Sequence, residues 1–79
     1  MHHVQVNITG KDRNVGAMVK ALAVEVTGFT AVKGTTKEFL KENGHYVFHF
    51  PNGEKAEEFK NLVRKYIPEN FAQVVAHVN

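Results

Sequence analysis

Five histidines, spread over a chain of 79 residues that contains no cysteine and no serine, are the side chains with the most chemistry to offer. Imidazole ligates zinc, exchanges protons near neutral pH and both donates and accepts hydrogen bonds. Without cysteine there is no thiolate nucleophile, no soft-metal ligand and no disulfide framework. Without serine the commonest hydroxyl nucleophile is missing, and the pattern places no base beside Thr9, Thr35 or Thr36. No glycine-rich phosphate loop and no metal-ligand helix motif occurs. The chain is expected to act by binding and not by catalysis, with no cofactor.

Where the histidines meet depends on the strands that carry them. Val4, Val6 and Ile8 alternate with His3, Gln5 and Asn7, the period of a strand with one buried face. Asp12 or Asn14 then caps a helix whose apolar residues Val15, Met18, Val19, Leu22 and Val26 recur at three- and four-residue spacing, with a stop near Thr27-Gly28. Asn43-Gly44 sits between Lys37-Glu38-Phe39-Leu40 and Tyr46-Val47-Phe48-His49-Phe50, a hairpin signal. A second helix follows Pro51-Asn52-Gly53, with acidic residues early, basic residues late, and Ala56, Phe59, Val63, Tyr66 and Ile67 on one face. After Pro68, Ala72, Val74, Ala76 and Val78 alternate with Gln73, Val75 and His77 in a last strand.

This order of strand, helix, strand, strand, helix, strand predicts one α+β domain over residues 1–79 with a ferredoxin-like βαββαβ topology. The expected sheet is four-stranded and antiparallel, in order 4-1-3-2, with both helices on one face. Tyr46, Phe48 and Phe50 then join Val4, Val6 and Ile8 in the core. His3, His49 and His77 are expected to meet on the opposite, open face, with Glu38 extending the row. Three imidazoles and a carboxylate form a zinc-type ligand set, although a flat row with strands about 4.8 Å apart does not wrap a tetrahedral ion.

The same face yields the favoured functional expectation. Leu40, Val47 and Val75 form an apolar patch rimmed by His49 and His77, and such patches mark contacts with other proteins. The partner is expected to be a second copy of the chain or a larger protein that this one inhibits or regulates. A domain this small gains from such a partner, because its core leaves only a few kcal/mol of net stability.

The segment running from Ile8-Thr9-Gly10-Lys11-Asp12-Arg13-Asn14-Val15-Gly16 to Ala23 resembles the first strand-to-helix junction of ACT-type regulatory domains. Asn14-Val15 stands where that family has a shorter Pro-Gly step. The resemblance implies a small effector, often an amino acid, bound at a dimer interface, and points to Gly10, Asp12, Arg13 and Gly16 as ligand-binding positions. RNA or single-stranded DNA is a further alternative, since RNA-recognition modules share this topology and stack bases on aromatic residues of the central strands. Two features count against it: the expected burial of Tyr46, Phe48 and Phe50, and basic residues that are scattered, ten Lys or Arg against eight Asp or Glu. No stretch approaches the roughly 20 apolar residues of a membrane span, and the opening residues lack a signal-peptide pattern, so a cytoplasmic location is expected.

Overall fold

A computed structural model describes residues 2–28 and 44–78. The chain begins with β1 (His2–Ile8), makes a 3-10 turn over Thr9–Lys11 and enters α1 (Arg13–Thr27). It continues with β2 (His45–Phe50), α2 (Gly53–Tyr66) and β3 (Ala72–Val78). β1 lies in the middle of an antiparallel sheet of order β2-β1-β3.

Local chemistry sets the helix limits. The Asp12 carboxylate accepts hydrogen bonds from the backbone N–H groups of Asn14 and Val15, at 2.8 and 3.2 Å, and so satisfies donors that the first turn leaves open. Gly28 closes α1 with φ +79, a left-handed conformation that costs glycine little, and its N–H bonds back to the Val24 carbonyl. Asn52 caps α2 by accepting from the Lys55 N–H at 2.8 Å, and Pro68 follows directly after its last turn.

Both helices cover the same face of the sheet. Val4, Val6 and Ile8 of β1 and Tyr46, Phe48 and Phe50 of β2 point into a core completed by Val19, Ala23 and Val26 of α1 and by Ala56, Phe59 and Val63 of α2. The Phe59 ring lies 4.9 Å from Phe48 and 5.0 Å from Phe50, centroid to centroid. Tyr66, expected on the buried face of α2, is instead exposed at the end of the helix, and Ile67 takes the inward place.

The described sheet has three strands, which corrects the expected four-stranded ferredoxin-like sheet of order 4-1-3-2. The additional strand rested on Lys37-Glu38-Phe39-Leu40 before the Asn43-Gly44 turn, and those residues lie outside the described ones. Phe39 and Leu40 are adjacent and do not alternate, so that run carried no strand period of its own.

Gly16 shows how closely α1 approaches β2. A Cβ at this position would lie 2.8 Å from the Tyr46 hydroxyl and 3.0 Å from the tyrosine ring, and Tyr46 is fully buried. Alanine would favour the helix by about 1 kcal/mol, whereas overpacking a core costs about 1–3 kcal/mol. Gly16→Ala is therefore expected to destabilise the fold by about 1 kcal/mol, measured as a lowered urea midpoint with unchanged slope; a stabilised variant would show that α1 does not rest on Tyr46.

Candidate functional site

The sheet face turned away from α1 and α2 is built from the alternate residues of the strands. His3 pairs with His49, Gln5 with Val47 and Asn7 with His45 across β1 and β2. The His3 and His49 rings meet edge to face, with centroids 4.2 Å apart and planes at 62°. Gln5 donates from its side-chain amide to the Asn7 side-chain oxygen at 3.3 Å. On the other side of β1, Ala76 pairs with Gln5 and Gln73 with Asn7.

None of the residues in the three strands is Asp, Glu, Lys or Arg. The charged side chains of the described residues lie on the helices and in the connections between elements. Among the described residues this face is accordingly polar and apolar and carries no fixed charge.

A β-bulge decides the place of His77. The pairing steps from Gln5↔Ala76 to Val6↔Val74, which leaves Val75 as the extra residue. Beyond that point the strand's parity is reversed, so His77 pairs with Val4 and turns towards the helices. The expected row of Glu38, His49, His3 and His77 is thus not assembled: His3 and His49 share one face, His77 is on the other, and Glu38 lies outside the described residues. Among the described residues, no group of three or more His, Asp or Glu comes together as a metal site. Val47 is half-buried on the face turned away from α1 and α2, Val75 is exposed at 45%, and Leu40 lies outside the described residues.

On the helix side, His77 belongs to a chain of hydrogen bonds that starts at α2. Lys60 Nζ lies 2.6 Å from Glu57 Oε2 and 2.8 Å from His77 Nδ1, and His77 Nε2 lies 3.0 Å from His2 Nδ1. An ammonium group can only donate, so His77 must accept at Nδ1 and keep its proton on Nε2, which donates to His2. Burial holds the His77 imidazole below its ordinary value, and the Lys60 ammonium and His2 add to that effect against an opposing pull from Glu57. The Lys60 hydrogen bond is in turn the main reason that the Glu57 carboxyl sits below its usual range. His2, which looks like overhang in the sequence, packs its ring against the start of α2 beside Gly53.

The strand-to-helix junction forms a second feature. Asn7, Ile8, Thr9, Gly10, Lys11, Gly44 and Gln73 line an open cleft of about 440 Å3. Gly10 and Lys11 both adopt positive φ, +66 and +54, and a lysine in that region carries strain of a kind often found at binding sites. Of the four ligand positions implied by the ACT resemblance, Gly10 lines this cleft. Asp12 is engaged as the α1 cap, Gly16 is packed beneath Tyr46, and Arg13 is exposed at the helix start.

Comparison with models of known protein families, with curated proteins and with solved structures finds no match. No helix among the described residues is long and apolar enough to cross a membrane.

The lowered proton affinity of His77 has a defined effect on stability. Above the ordinary imidazole value of 6.5 the residue is neutral in both folded and unfolded chains. As the pH falls below it, the unfolded chain takes up the proton first, so stability is lost between 6.5 and the lower folded value. Urea unfolding followed from neutral to mildly acidic pH should show this loss in the parent protein and a smaller one in His77→Gln. Parallel pH profiles for the two would exclude His77 as its source.

Proposed function

We propose that this protein is a binding module whose sheet face opposite α1 and α2 associates with a second copy of the chain. The observation that carries the reading is the absence of Asp, Glu, Lys and Arg from all three strands. The centres of protein interfaces are depleted in charge because burying an unpaired charge costs several kcal/mol. Two copies of a face whose described residues carry no fixed charge meet there without that cost and without like-charge repulsion. Val47 supplies apolar contact near the middle of the face, with the amide and imidazole groups of Gln5, His3 and His49 around it.

Area limits the strength of such a contact. Strands about 4.8 Å apart and about 3.3 Å per residue give a three-stranded face of about 300 Å2. A standard interface buries about 800 Å2 on each partner. The described strands alone support a weak association that belongs to the concentrated protein.

Sedimentation equilibrium at hundreds of micromolar should give a mass above the 8.9 kDa of one chain. Val47→Glu should return it to that mass with an unchanged circular dichroism spectrum. A parent protein that stays at one chain's mass would overturn self-association, and an unfolded Val47→Glu would show that Val47 is part of the core.

The cleft at Gly10 supports a second reading, in which the junction of β1 and α1 receives a small polar ligand. Its polar lining of Asn7, Thr9, Lys11 and Gln73 and its strained backbone favour this. A panel of free amino acids should then include at least one that raises the melting temperature in a saturable way, because a ligand that binds only the folded form stabilises it. A panel that leaves the melting temperature unchanged removes amino acids from this reading.

A further inference from the structure

The cleft between α2 and β3 brings basic groups together in a way that the sheet-face reading does not use. Lys60, Arg64, Val74, Val75, Ala76 and His77 line a space of about 200 Å3 on the helix side of the sheet. The Lys60 side chain is only 12% exposed, and its ammonium is held in contact with a second basic group, the His77 ring. Arg64 follows Lys60 by one turn of α2, and it lines the same cleft.

We infer that this cleft is a proton-gated site for a small, doubly charged oxyanion of the phosphate or sulfate type. The titratable groups around His77 are Glu57, Lys60 and Arg64 from α2 and His2 from β1. With His77 neutral, its Nδ1 lone pair is occupied by Lys60, and Glu57 balances one of the two cations. A proton on Nδ1 converts that acceptor into a donor and sets two cations against each other at hydrogen-bond distance. An oxyanion relieves the conflict by accepting from His77 Nδ1, Lys60 Nζ and the Arg64 guanidinium, each a charge-assisted bond. Glu57 is the internal competitor: its carboxylate already occupies Lys60, but its side chain is 56% exposed and free to turn into water.

Sulfate is the suitable probe, because its charge does not change over the range in which imidazole titrates. Sulfate, acetate and chloride would be titrated at constant ionic strength near about pH 5.5 and about pH 7.5, on either side of the imidazole range, with the His77 ring followed by NMR. Sulfate should bind at least about tenfold more tightly at the lower pH, since one proton is taken up with it. By linkage, the His77 titration midpoint should move upward in sulfate relative to chloride. Glu57→Gln should tighten sulfate binding by removing the competitor. Arg64→Gln, at an exposed position, should weaken it without loss of the fold, and His77→Gln should abolish the pH dependence. Equal affinity at both pH values, a His77 midpoint identical in sulfate and chloride, or acetate binding as tightly as sulfate would each overturn the inference. Because the readout is a ring on the helix side, it stands apart from any failure of sheet-face association.

Discussion

Phe59 reaches from α2 into the space above Phe48 and Phe50, and that three-ring contact fixes which side of the sheet the helices cover. With the β2 aromatic residues committed inward, the antiparallel pairing obliges Val4, Val6 and Ile8 to follow, since each faces the same side as its partner. The alternates, His3, Gln5, Asn7, His45, Val47 and His49, are left on the other side. Both faces of the molecule are therefore consequences of one packing choice. A domain of this size has material for one core, and the cluster formed around Phe59 uses it.

The bulge at Val75 divides the remaining chemistry between these faces. A single unpaired residue reverses the parity of the last part of β3 and moves His77 from the surface of the sheet to the flank of α2. There it finds Lys60 and His2, and its imidazole gains a direction: acceptor towards the helix, donor towards the first strand. Without the bulge, the residue would stand near His3. The two histidine groupings, edge-to-face rings on one side and a hydrogen-bonded chain on the other, differ by one backbone insertion.

Much of this was legible in the sequence where alternation was unambiguous. Valine and isoleucine in β1 and aromatic residues in β2 occupy one parity, with polar or smaller residues on the other, so the inward set of these two strands follows from pattern alone. In β3 the contrast between parities is weaker: the apolar one, Ala72, Val74, Ala76 and Val78, includes two small alanines, and the other, Gln73, Val75 and His77, includes a valine. Such a strand accepts a shift of register at little cost, which is why the bulge and the position of His77 could not be read from it. The fourth strand failed for a related reason, because the turn signal at Asn43-Gly44 had an alternating run on one side only. His2 has the parity of Val4 and pairs with Phe50, so it faces the helices despite its terminal position. The lack of charge in the strands was visible from the outset, but it acquires meaning only when those strands are seen to form one continuous surface.

That lack of charge also bears on how the folded sheet meets other chains at its edge. Natural sheets commonly protect their outer strands with lysine or proline, so that exposed backbone groups do not template growth by other chains. In β3, at one edge of the described sheet, neither residue is present. Its interruption at Val75 takes their place, because a kinked strand is a poor template for flat, in-register stacking. The irregularity that places one imidazole thus also interrupts the flat edge that would suit in-register stacking by another chain.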